Sequence, residues 1–222
     1  MFGRHDLVWL SASGWQAARA RARPEHAGAI ERWQHANWPA IVRRGDADAG
    51  PGEVCVGIAL PPDPDSGNKL RIGLRALSGD VARTAPALAL DAIAAHLPAL
   101  LPDEWRQDLR ALADESAGLT LRVYGSLALQ AVTGQAYVSP TSDIDLLFYP
   151  ASRQELDLGL ALLLKYAASL PLDGEIVFPG GHAVAWKEWL TAQAGNARVL
   201  VKEENGVRLA SRDALLATLA AA

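Results

Sequence analysis

The second half of the chain alternates between short apolar runs and longer amphipathic stretches. Leu119–Tyr124, Ile144–Tyr149 and Glu175–Phe178 are compact apolar runs with β-branched or aromatic residues, and they read as strands. Ser126–Thr133, Arg153–Ser169 and Ala183–Gln193 follow them and read as helices. Arg198–Glu203 and Val207–Leu209 flank Asn205-Gly206, a tight-turn signal, so a hairpin is expected there. Ser211 is placed to cap a last helix over Arg212–Ala220.

The first half reads differently. Residues 14–23 and 27–37 have helical character, with Pro24 between them. Ala40–Arg44 is a short strand candidate, followed by a Gly-rich polar loop over Gly45–Gly52. Glu53–Leu60 and Lys69–Leu77 enclose the sequence PPDPDSGN, which predicts a hairpin with a long connection. An Ala/Leu-rich helix is expected over Ala87–Leu97, and Pro98 and Pro102 then mark a break. Asp103 stands where a cap belongs for a helix running to Ser116. The expected organisation is therefore a smaller N-terminal α+β domain over residues 1–100, and a C-terminal domain over 101–222 built on a mixed sheet with flanking helices. The fold class is α+β.

Composition narrows the function classes. With 222 residues, half of them hydrophobic, the chain can bury a substantial core. A net charge of -4 argues against non-specific nucleic-acid binding, which needs a basic excess. The single cysteine, Cys55, excludes an intrachain disulfide and a cysteine-based zinc cluster, and its apolar setting (EVCVGIAL) predicts a core position. No signal peptide is visible, and no stretch approaches the roughly 20 apolar residues of a membrane helix. A soluble cytoplasmic protein without a membrane partner is expected.

The chemistry concentrates in one segment, RVYGSLALQAVTGQAYVSPTSDIDLLF. A strand ends in Gly125-Ser126, a helix follows, and the next strand carries Asp143 and Asp145. Residues i and i+2 of a strand project from the same face, so the two carboxylates point the same way, about 6–7 Å apart at Cα. Such a pair repels itself unless a cation sits between. Mg²⁺, or Mn²⁺, suits it, because Mg²⁺ takes one or two carboxylates together with substrate phosphate. Ser126 opens a helix whose N-terminal amides favour phosphate, and Gly125 permits close backbone approach. Asp-x-Asp or Gly-Ser alone is weak, since each also serves as a strand end or an ordinary cap. The ordered combination is much stronger. A third carboxylate often completes such a site, and Glu175 on the next strand is the first candidate, ahead of Asp173. Glu175 would help to hold a metal or take a proton from an attacking hydroxyl.

Basic residues offer a second binding element. Arg43, Arg44, Lys69, Arg71 and Arg75 lie on or beside the N-terminal strands, and a fork of arginines suits phosphate. A phosphate-binding cleft and a solvated strand face fit them equally. Lys187, and similarly Lys202, would reach the same cleft or lie on the surface. The seven tryptophans are expected mainly in packing. His5 and His182 lack metal-ligand spacing and are expected in structural or surface roles.

On these residues the chain resembles the polymerase β type of nucleotidyltransferase. RHDLVWL, SPTSDIDLLF, LDGEIVFPGGHAVAWKEW and VLVK together resemble the phosphoribosyl-dephospho-CoA transferases of malonate decarboxylase, also called its holo-acyl-carrier-protein synthases. The resemblance implies transfer of the prosthetic group from 2′-(5″-triphosphoribosyl)-3′-dephospho-CoA to a serine of the acyl carrier protein subunit, with release of pyrophosphate. It implies metal binding by Asp143 and Asp145 and triphosphate binding by Gly125 and Ser126. It implies that the third acidic position is Glu175. Two other readings stay open at this point: a nucleotidyltransferase with another donor and acceptor, and a nucleotide-binding module without catalysis.

Overall fold

The computed structural model describes residues 2–96, 101–192 and 197–220. The chain forms two compact units, Met1–Ala87 with Val132–Ala136 and Glu204–Gly206, and Leu88–Ala131 with Tyr137–Glu203 and Val207–Ala222. The architecture is α+β, with one sheet in each unit. Pro98, which was expected to mark the boundary, lies outside the described residues, as do the helix ends expected at Leu97 and Gln193.

The first unit holds β1 (Leu7–Leu10), α1 (Ala12–Arg21), α2 (Ala27–His35), β2 (Ala40–Val42), β3 (Glu53–Ala59), β4 (Arg71–Leu77) and β5 (Val81–Ala85). Its sheet runs β4-β3-β2-β1-β5, antiparallel throughout. The expected helices and the long hairpin are present. β1 and β5 are additions to them. β5 has a largely exposed row of residues on a sheet edge, which leaves little hydrophobic pattern to read. Ser11 caps α1 by accepting from the Gly14 amide. Cys55 is buried, as expected, and its Sγ accepts from the Asp46 amide.

The second unit begins with β6 (Leu88–Ala89) and α3 (Leu90–His96), followed by α4 (Asp103–Glu115), β7 (Leu121–Tyr124) and α5 (Gly125–Thr133). Next come β8 (Ile144–Phe148), α6 (Arg153–Tyr166), β9 (Leu172–Phe178), β10 (His182–Ala185) and α7 (Trp186–Thr191). It closes with β11 (Arg198–Lys202), β12 (Val207–Ser211) and α8 (Arg212–Leu216). α3 belongs to this unit because Leu90 and Ile93 enter its core beside Leu109 and Val123. The sheet order is β12-β11-β10-β9-β8-β7-β6. β8 and β9 are parallel and the other pairs antiparallel, so the sheet is mixed.

Two expectations are corrected here. Leu88–Ala89 is strand paired with β7, so the helix expected from Ala87 begins only at Leu90. Ala183–Ala185 is strand, not the start of a helix, and α7 is confined to Trp186–Thr191. Pro179-Gly180-Gly181 turns the chain back on itself, with both glycines at positive φ, so β10 pairs with β9 before any helix forms.

Burial separates the two sides of this sheet. Val123, Ile144, Leu146, Phe148, Ile176, Val184, Val199 and Val201 face the main core with the helices. Strand alternation therefore sends Tyr124, Asp145, Asp173, Glu175, Ala183, Ala185 and Lys202 to the other side. Five of the seven tryptophans, Trp15, Trp33, Trp105, Trp186 and Trp189, are buried, in keeping with a packing role.

Candidate active site

The start of the site is fixed by the junction of β7 and α5. Tyr124 ends the strand, and Gly125 turns into the helix with φ 68°. A Cβ on residue 125 would collide with the carboxylate of Asp145, so the backbone there lies directly against that side chain. Only glycine satisfies both the left-handed conformation and this approach. Ser126 follows in the first turn of α5, half-buried.

The path from α5 to β8 is held by side chains acting on backbone. Buried Gln130 accepts through Oε1 from the amides of Tyr137 (2.8 Å) and Val138 (2.9 Å). Ser142 Oγ accepts from the Ser139 amide at 3.0 Å, closing the SPTS turn on itself. The Ile144 amide donates to the Pro171 carbonyl at 2.9 Å, which ties the entry of β8 to the entry of β9. Asp143 is thus delivered at the mouth of the strand, exposed, with Asp145 two residues on and half-buried.

The register of β9 decides what stands beside them. Asp173 lies directly opposite Asp145, and Glu175 opposite Leu147. Gly174 between them has φ 134°, and a Cβ there would strike the Leu146 backbone, so glycine lets β9 close onto β8. Glu175, the expected third carboxylate, is buried and accepts from Lys202 Nζ at 2.7 Å. Asp173 Oδ1 lies 3.6 Å from Lys187 Nζ. The nearest acidic neighbour of Asp145 by register is therefore Asp173, and Tyr124 stands opposite Asp145 on its other side. Sequence reading passed over Tyr124, although the strand alternation of RVYG points it to this face.

Among the described residues no group of three or more His, Cys, Asp or Glu side chains forms a metal-holding cluster. The donor set still fits Mg²⁺ or Mn²⁺. Asp145 on β8 and Asp143 just before it supply carboxylate oxygens, and a Mg²⁺ site of one or two carboxylates is completed by water and substrate phosphate.

The N-terminal basic residues have a different setting. Arg43 lies against Gly57 and Gly73 and holds Asp46 in a two-point fork, with Nη2 donating to Oδ2 at 2.7 Å. Arg75 donates to Asp46 (2.9 Å) and to Asp48. Hydrogen bonding from Arg43, and then from Arg75, holds the Asp46 carboxyl far below the usual carboxylate range against the opposing effect of its desolvation. Asp48, followed by Asp46, raises the Arg75 guanidinium in turn. These two forks are occupied by protein carboxylates. They line a cleft of about 450 Å³ together with Arg21 and Glu53. Arg44 and Arg71 are exposed and Lys69 half-buried. Arg71 and Arg75 share the less buried face of β4, while Lys69 precedes the strand.

Residues 87–213 match the family model described as phosphoribosyl-dephospho-CoA transferase MdcG C-terminal domain, and residues 3–99 match its N-terminal counterpart. A phosphoribosyl-dephospho-CoA transferase of Xanthomonas campestris pv. campestris is 40% identical over 97% of both chains. One from Xanthomonas axonopodis pv. citri is 39% identical over the full length of both, and one from Bradyrhizobium diazoefficiens is 36% identical over 95% of this chain and 90% of its own. No solved structure matches. No helix among the described residues is long and apolar enough to cross a membrane.

Proposed function

This chain belongs to the phosphoribosyl-dephospho-CoA transferase family, and from that membership we propose that it attaches the phosphoribosyl-dephospho-CoA prosthetic group to the acyl carrier protein subunit of malonate decarboxylase, in the cytoplasm. It is a transferase enzyme. In the proposed reaction, a serine hydroxyl oxygen of the carrier protein bonds to the α-phosphorus of the triphosphoribosyl donor. The bond from that phosphorus to the bridging oxygen breaks, pyrophosphate leaves and the hydroxyl proton is released. A phosphodiester links the prosthetic group to the protein.

The observation that carries the reading is the placement of Asp145 against Gly125, with Asp143 two residues before it at the mouth of β8. It joins the helix N-terminus that suits a triphosphate to the carboxylates that suit a divalent cation. Asp143 and Asp145 would hold Mg²⁺ or Mn²⁺, which supplies charge stabilisation to the reacting phosphoryl oxygens when bound. Gly125 lets the start of α5 lie directly against the Asp145 carboxylate, and Ser126 would offer the first turn of α5 to the phosphates. Tyr124 and Asp173 flank Asp145 and fix its strand on both sides. The test is incubation with apo carrier protein and the triphosphoribosyl donor, read by intact mass. A mass gain equal to the prosthetic group supports the proposal, and transfer from ATP in its place refutes it.

A further inference from the structure

We propose that Lys202 binds phosphate at the charged face of the second unit, and that Glu175 is the positioning residue that holds it there. The inference rests on the transfer reaction proposed above, in which a triphosphate is the donor and pyrophosphate the product. Lys202 is on β11 and Glu175 on β9, so their side chains meet across β10. The residues of β10 beneath them are Ala183, in register with Lys202, and Ala185, in register with Glu175. Two alanines leave room for the pair to lie flat across the strand. Larger side chains at these positions would block it.

Burial is divided unequally within the pair. The Glu175 side chain is 4% exposed and that of Lys202 is 37% exposed. The carboxylate therefore acts from below and the ammonium faces the solvent side. An ammonium has three donors, and Glu175 Oε1 accepts one of them. Lys187 offers a contrast: its contact with Asp173 is longer, 3.6 Å, and both side chains are about half exposed. An exposed pair of that kind fixes little. Lys202 is thus the better-anchored of the two cations.

The position suits the leaving end of the donor. Glu175 stands one strand across and two residues along from Asp145, roughly 8 Å at Cα by sheet spacing. Asp145 lies against Gly125 at the start of α5, so β- and γ-phosphates extending from there past Asp173 would meet the Lys202 ammonium where Glu175 holds it. The same pairing makes Glu175 a poor metal ligand, since an ammonium and a divalent cation would compete for one carboxylate.

The experiment measures pyrophosphate binding by calorimetry in the presence of Mg²⁺, alongside steady-state transfer. Lys202→Met should weaken pyrophosphate binding and raise the donor KM about tenfold or more, as expected for a lost charge-assisted hydrogen bond, while kcat changes little. Lys202→Arg should recover most of the affinity. Because Lys202→Met takes the cation from a buried carboxylate, the double variant Lys202→Met with Glu175→Gln is measured too, and should show the same loss. Glu175→Gln alone should weaken pyrophosphate binding with kcat largely retained. A Glu175→Gln enzyme that binds pyrophosphate normally but has lost kcat overturns the proposal, as does unchanged binding in both Lys202 variants. Wild-type protein that neither transfers the group nor binds pyrophosphate overturns the transfer reading itself. Wild-type transfer combined with unaltered Lys202 variants overturns the Lys202 assignment alone.

Discussion

The carboxylate of Asp145 occupies the space that a side chain on residue 125 would need. Gly125→Ala therefore forces a choice between moving Asp145 and straining a left-handed backbone. The strain alone costs about 1–2 kcal/mol, which thermal unfolding should register. Transfer should fall by about 100-fold or more, the scale on which a small misplacement of a reacting group acts. A Gly125→Ala enzyme with ordinary kcat would separate the glycine from the site.

Metal dependence is the next expectation. Asp143→Asn and Asp145→Asn should each reduce kcat by on the order of 10³-fold, the effect of losing several kcal/mol of charge stabilisation. Chelation with EDTA should abolish transfer, and added Mg²⁺ or Mn²⁺ should restore it. Circular dichroism should show both variants folded, since neither carboxylate lies in the main core.

Much of this site was legible before the structure. Gly125, Ser126, Asp143 and Asp145 announce themselves by order and spacing, because a strand end, a Gly-Ser helix start and an Asp-x-Asp at the entry of the next strand are all local in sequence. The neighbours on β9 were not legible in that way. Whether Asp173 or Glu175 stands opposite Asp145 depends on the parallel register of two strands separated by α6, and no local pattern records it. The role of Lys202 depends on a longer relation still, across β10, a strand that its Ala-rich sequence disguised as helix. In the first unit, the arginines were visible but their partners were not. Asp46 and Asp48 sit in a loop whose return onto Arg43 and Arg75 only the folded chain reveals.

Gln130 should matter to stability more than its surface-like chemistry suggests. Its Oε1 accepts from two backbone amides at the entry to the SPTS turn. Gln130→Ala would strip both donors of that partner, at about 1–3 kcal/mol for each buried group left unsatisfied. Chemical denaturation should report the loss, and hydrogen exchange should accelerate at Tyr137 and Val138. Unchanged protection at those amides would count against the assignment.

The Asp46 network predicts an acid dependence in the first unit. The folded carboxyl is shifted far down by Arg43 and Arg75, so its stabilisation is complete above the unfolded value, about 4. It declines as pH falls below that value toward the folded one. Asp46→Asn should lower stability at pH 7 by about 1–2 kcal/mol, a figure reduced for partial exposure. It should also flatten the fall in melting temperature below about pH 4. Equal slopes for the two proteins would contradict the ion network.

The most direct test of the account is the mass of apo carrier protein after incubation with the triphosphoribosyl donor, Mg²⁺ and either wild-type enzyme or the Asp143→Asn, Asp145→Asn double variant. Wild-type enzyme should add one phosphoribosyl-dephospho-CoA group per carrier protein and release pyrophosphate in equal amount, while the double variant should leave the mass unchanged. Full transfer by the double variant would contradict the site, and no mass gain with folded wild-type enzyme would contradict the reaction.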